Sequence, residues 1–129
     1  GTLQGDPISP LLFDLMIEPL IRWLSLSPHG YQFAAINLTL SSKWYADDAT
    51  LITDDLAKLS NLLHIIEEFS SWSGIHLNVP KCRVTAYIHE IQQIRSKKER
   101  DAALYGRLAN VSVQGRTISC ISHGTPGTA

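Results

Sequence analysis

Apolar positions along the chain change period several times, and the changes mark its elements. From Pro10 to about Leu26 the polar residues Asp14, Glu18, Arg22 and Ser25 recur at spacings of four, four and three, with apolar residues between them. That spacing predicts an α-helix with one narrow wet stripe, and so a mostly buried one. Ser9 suits the N-cap and Pro10 the first helical position, where a missing N–H costs nothing. Glu18 and Arg22 are placed for an i,i+4 pair, and Pro19 should kink the helix near Leu15. The helical period then lapses. "FAAINLTL" (33–40), "KWYA" (43–46) and "ATLIT" (49–53) read as strands. It returns after Asp55, with Leu56, Leu59, Leu63 and Ile66 on one face, and stops at "SWSG", where Gly74 suits a left-handed cap.

Further on, "IHLNV" (75–79) and "CRVTAYI" (82–88) read as short strands around a Pro80–Lys81 turn. "IQQIRSKKERDAALYGRLANV" (91–111) has a helical pattern with a polar surface. "VSVQGRTISCI" (111–121) reads as a hairpin turning at Gln114–Gly115. The order helix, strands, helix, strands predicts an antiparallel α+β fold. Residues 1–91 form the main body of that prediction, and residues 92–129 a trailing helix and hairpin.

Composition narrows the class. A hydrophobic fraction of 44% over 129 residues suits a domain with a buried core. The formal charge of −1 gives no strong basic footprint, so any grip on a phosphate backbone is expected mostly outside these residues. "RSKKER" (95–100) reads as a solvated helix face. Cys82 and Cys120 have neither CxxC nor zinc spacing, which fits a reducing compartment, with a single bridge between them as the alternative; the expected location is intracellular, nucleus or cytoplasm. Asp14, Glu18 and Arg22 interrupt the longest apolar run, which argues against a membrane span. A start on Gly1 and an end on "SHGTPGTA" read as a segment of a longer polypeptide.

Two pairs of adjacent aspartates stand seven residues apart, Asp47–Asp48 and Asp54–Asp55. The second pair directly precedes an amphipathic helix, where carboxylates accept hydrogen bonds from free N–H groups and favour the positive end of the dipole. Both are expected to be caps. The first pair lies between two strand-like runs and has no helix start to serve. A two-residue hairpin loop favours Asn-Gly or Asp-Gly, so Asp-Asp is a poor choice there, and the charges repel. Either the turn is exposed and tolerates the repulsion in water, or a cation sits at its tip. Adjacent carboxylates are hard oxygen ligands of the kind Mg²⁺ takes together with waters and substrate phosphates.

"YADD" (45–48) between apolar strands, "QGDPISPLLFDL" (4–15) upstream and "SWSGIHLNVPKC" (71–82) downstream together resemble a reverse transcriptase palm of the non-LTR retrotransposon type. The resemblance covers roughly residues 1–88. It implies a fragment of a right-hand polymerase fold: an antiparallel palm-type sheet with two helices packed on one face. The implied activity is RNA-directed DNA polymerisation, with an RNA template, a DNA primer and dNTPs as partners. In the two-metal scheme it implies, paired ions activate the primer 3′-hydroxyl and neutralise the leaving pyrophosphate. Asp47 would be the principal ligand and Asp48 its neighbour, with Mg²⁺ as the ion and Mn²⁺ able to substitute.

Residue by residue, the resemblance places Gln4, Gly5 and Pro7 against the incoming nucleotide and its template base, and Tyr45 near the primer terminus. Gly5 lacks a Cβ, so backbone can approach a base pair there. Lys81 matches a family lysine that protonates pyrophosphate, although a lysine on a turn is also simply soluble. Asp6 is expected to make a turn, Leu12 and Phe13 to pack in the core, and Tyr45 could equally pack across the strands. The family also uses an aspartate from a strand upstream of the QGDP loop, along with fingers and thumb from the remainder of the parent polypeptide. With the YADD pair alone, the 129 residues are expected to be inactive. A decayed or domesticated element that binds nucleic acid or a partner without catalysis is the competing expectation.

Overall fold

The computed structural model describes residues 5–120. These residues build helices and short strands that fall into two compact units, residues 1–75 and 76–129. All the β-structure among them is in two-stranded ladders. The α+β expectation therefore holds at the level of mixed helix and small sheets.

The first unit opens with helix α1 (Ile8–Leu26). It starts earlier than the Ser9 cap predicted. Pro7 takes the N-cap position with no side-chain bond of its own. Asp6 does the turn-making, since its carboxylate accepts from Ile8 N at 3.0 Å and its carbonyl from Ser9 N at 3.1 Å. The helix runs through Pro19 to Leu26, and Arg22 pairs with Glu18 at 2.8 Å as its spacing required. Burial differs from expectation. Ile17, Leu20 and Leu24 form one buried stripe, whereas Leu11, Leu12, Leu15 and Met16 are exposed. One apolar face of α1 packs within this unit, and the other apolar face is left largely exposed.

"FAAINLTL" is not one strand. Strands β1 (Tyr31–Phe33) and β2 (Leu38–Leu40) pair antiparallel, joined by a single 3₁₀ turn over Ala34–Ile36. Asn37 closes that turn at φ 49°, a left-handed conformation that asparagine tolerates better than most residues. Gly30 sits where this hairpin leaves α1. A Cβ there would meet the Leu40 carbonyl at 2.7 Å and Ser41 N at 2.8 Å, so only glycine lets the two backbones approach so closely. The buried Ser41 hydroxyl then donates to Leu24 O at 2.7 Å, a carbonyl at the end of α1 that also accepts from Ser27 N at 3.2 Å.

Strands β3 (Ser42–Tyr45) and β4 (Asp48–Leu51) follow as the second hairpin, and Tyr31 N donates to Ile52 O to tie the first hairpin to its base. Helix α2 (Leu56–Ser73) buries Leu62, Leu63, Ile65, Ile66 and Phe69, and ends on Gly74 at φ 75° as expected. Helix α1 packs on α2 and on β3. That packing is the physical base of the hairpin.

In the second unit "IHLNV" is not a strand. Val79–Lys81 form a 3₁₀ turn with Pro80 near its start, where an absent N–H is harmless. Of the next run, Arg83–Val84 (β5) are the residues that pair as a strand. They pair parallel with Ser119–Cys120 (β8), so the β-structure is not wholly antiparallel. The long helical run breaks in two, α3 (His89–Gln92) and α4 (Lys97–Leu108). Arg100 donates to Ile94 O and Arg95 O across the break. The last hairpin, β6 (Ser112–Val113) with β7 (Arg116–Thr117), turns at Gln114–Gly115, both at positive φ, as a type I′ turn demands. Leu104, Leu108, Val113 and Ile118 are its core. Burial is the first cause that pushes the Cys82 and Cys120 thiols above their ordinary pKa.

Candidate functional site

The hairpin register decides what the first acidic pair does. Ser42 faces Leu51, Trp44 faces Ala49 and Tyr45 faces Asp48, so the loop residues are Ala46 and Asp47. The sequence alone puts both aspartates in the loop. The structure moves the loop back by one residue, placing Asp47 in the turn and Asp48 in the first strand position beyond it. A two-residue loop must include a residue of positive φ, and here it is Ala46, at 51°, while Asp47 stays negative. A backbone of that sign favours glycine, which has no Cβ to clash with the neighbouring carbonyl. Alanine held there costs on the order of 1 kcal/mol, a local strain of the kind that gathers at functional turns. No residue-type signal could have revealed it, because Ala is not a positive-φ residue.

Asp47 and Asp48 are both exposed. Tyr45, beside them, is 84% exposed, so it packs on nothing in this unit and stands free at the tip. Trp44, one residue back, is half-buried and donates its indole N–H to Ser42 Oγ at 3.0 Å. The strand thus alternates as its pleat requires, with Trp44 inward and Tyr45 outward. Among the described residues no group of three or more His, Cys, Asp or Glu could hold a metal ion. Two exposed carboxylates on one turn match the one or two that Mg²⁺ takes from protein, with the balance supplied by water and substrate phosphates. The donor set therefore fits magnesium as a partial site.

The second acidic pair behaves differently. Asp55 caps α2, accepting from Ala57 N at 3.0 Å. Asp54 is not a second cap. It accepts from Lys58 Nζ at 2.8 Å, and that hydrogen bond holds its carboxyl below the ordinary carboxylate value.

The remaining predicted residues scatter. Gly5 has φ +93° with open space around it, so its left-handed backbone is by itself a reason for glycine. Pro7 starts α1, Leu12 is exposed and Phe13 half-buried, so Leu12 is not part of this unit's core. Gln4 lies outside the described residues. Lys81 is exposed at the end of the Val79–Lys81 turn in the second unit, its N–H bonded to Asn78 O at 2.9 Å. Beside that turn lies an open cavity of about 480 Å³, lined by Leu77, Asn78, Val79, Pro80, Gln114 and Arg116. Among the described residues no helix is long and apolar enough to cross a membrane.

Comparisons with known proteins agree with the motifs. Residues 1–115 match the family described as reverse transcriptase (RNA-dependent DNA polymerase). The chain is 35% identical over 82 residues to a retrovirus-related Pol polyprotein from the type-2 retrotransposable element R2DM of Drosophila melanogaster, covering 64% of this chain and 8% of that protein. It is 28% identical over 99 residues to the Pol polyprotein of the type-1 element R2 of Nasonia vitripennis, covering 77% and 9%. Against the corresponding protein of Popillia japonica the identity is 30% over 82 residues, covering 64% and 13%. The chain thus spans about a tenth of the length of these curated relatives. No solved structure matches it.

Proposed function

Since this chain belongs to the reverse transcriptase (RNA-dependent DNA polymerase) family, we propose that it supplies the metal-binding hairpin of an RNA-directed DNA polymerase of the non-LTR retrotransposon type. The observation that carries the reading is the β3–β4 turn. It projects Asp47, Asp48 and Tyr45 together into solvent on a two-residue loop whose alanine is strained. In this reading the first unit is part of a palm, and an RNA template, a DNA primer and dNTPs are its substrates. Fingers, thumb and a further aspartate come from the remainder of the parent polypeptide, which works inside the cell.

Asp47 and Asp48 would hold Mg²⁺, with Mn²⁺ as a substitute. When bound, divalent metal supplies Lewis acidity toward a primer 3′-hydroxyl and neutralises charge on pyrophosphate. The chain's own part is positional. The β3–β4 ladder fixes the carboxylates, and α1, backed by α2, packs against β3, as a site on regular elements should be supported. Tyr45 borders the primer end, while Gln4, Gly5 and Pro7 form the loop against the nucleotide. Lys81 is a proton donor to the leaving group.

Primer extension by the parent polypeptide with template, dNTPs and Mg²⁺ tests this. Asp47→Asn should abolish extension while leaving the fold intact by circular dichroism. Unchanged extension would rule out the metal role. The isolated 129 residues are expected to show no extension, because two carboxylates bind metal weakly without a third.

A further inference from the structure

The whole-chain charge of −1 hides a division that follows the two compact units. Residues 1–75 carry three Lys and Arg against nine Asp and Glu, a formal −6. Residues 76–129 carry eight against three, a formal +5. The units also differ in how their cations are used. In the first unit Arg22 bonds Glu18 and Lys58 bonds Asp54, each at 2.8 Å. Among the described residues, no Lys or Arg of the second unit forms an ion pair. Arg83 and Arg100 lend their guanidinium groups to backbone carbonyls. Arg95, Lys97, Lys98, Arg107 and Arg116 are exposed.

Fold stability does not explain this excess. Lys97 and Lys98 occupy the first turn of α4, where the helix's own field disfavours cations. Five like charges in excess repel one another unless an anion offsets them. Other features refine what that anion is. Arg116 lines the open cavity beside the Lys81 turn together with the amide of Asn78, so one of these cations borders a concave surface. Tyr105, 47% exposed, lies seven residues and so about two turns from Lys98, on the same side of α4. Unpaired cations with an exposed aromatic among them suit a phosphate backbone with its bases. An anionic lipid surface would need an apolar helix face beside the charges, and the buried side of α4, with Leu104 and Leu108, is already spent on the core.

We propose that the second unit is a phosphate-backbone grip. It binds the nucleic acid duplex on which the polymerase acts, without regard to sequence, through Arg95, Lys97, Lys98 and Arg116. The identity of the partner rests on the polymerase reading above; the unspent charge does not.

The test measures binding of a fluorescein-labelled RNA·DNA hybrid to the full parent polypeptide, by anisotropy, across a KCl series with EDTA present. Each lost phosphate contact should reduce the slope of log K against log salt by about 0.9. Neutralising all four cations to Gln should weaken low-salt binding by at least about tenfold and flatten the slope by roughly two to four. Neutralising Arg22 and Lys43 of the first unit should leave both quantities unchanged. If the fourfold variant fails to fold, Lys97→Gln with Lys98→Gln gives the same reading, at a slope change of roughly one to two. An unchanged slope overturns the proposal. So does capture of phosphatidylserine vesicles with no binding of the hybrid. Extension by Asp47→Asn is scored separately. Lost extension with an unchanged slope in the charge variants removes the grip alone. Surviving extension removes the polymerase reading, whatever the slope.

Discussion

Asp47–Asp48 and Asp54–Asp55 are the same dipeptide, seven residues apart in one unit, and the structure treats them in opposite ways. Every carboxylate of the second pair is engaged locally, Asp55 by the first turn of α2 and Asp54 by Lys58. The first pair stands on a turn that its own residues make costly, with Ala46 in a left-handed conformation and Tyr45 exposed beside it. Identical chemistry thus serves stability where a helix start can use it, and is left facing outward where nothing in the unit can. A carboxylate's role follows from the backbone groups next to it.

The sharpest way to break that comparison is to neutralise one member of each pair. Asp47→Asn should lower extension by the parent polypeptide more than about 100-fold, beyond what loss of an outer-shell partner costs. Asp54→Asn should leave extension unchanged. A large loss from Asp54→Asn would erase the distinction. Next in size is Gly30→Ala, which attacks the base of the acidic hairpin. Its Cβ would collide with backbone at Leu40 and Ser41, which cannot swing aside as a side chain could. A loss of about 1–3 kcal/mol in urea unfolding is expected.

Asp55→Ala should cost about 1 kcal/mol, and Asp55→Asn much less, because Asn also caps well. The smallest effect concerns acid. Asp54 has a lowered folded pKa, so its pairing contributes fully above the ordinary value of 3.8 and is lost as pH falls through the folded one. Between about pH 5 and pH 2, wild type should therefore lose slightly more stability than Asp54→Asn. Both groups are partly exposed, so the difference should also fade in high salt.

The two units make a second comparison, of charge. The nearly neutral whole averages two opposite excesses, −6 in residues 1–75 and +5 in residues 76–129. The chain's charges could be counted at once, but the count gained meaning only when contacts divided the residues into units.

Helices with strong periodicity were legible in the residues. The face of α2, its Asp55 cap and its Gly74 stop were each readable because they depend on groups within one turn. So was the Gln114–Gly115 turn, whose residues supply the φ values it needs. The motifs around Gly5 and Asp47 identified the family, since a chemical site keeps its residue types in order along the chain. Other features depended on distant partners. Which face of α1 is covered, that 33–40 folds back on itself, that Arg83–Val84 lie parallel to Ser119–Cys120, and that the loop is Ala46–Asp47 were settled by packing and register. Local propensity is a sum over neighbours in sequence, whereas register and burial are set by groups that meet only when the chain has folded.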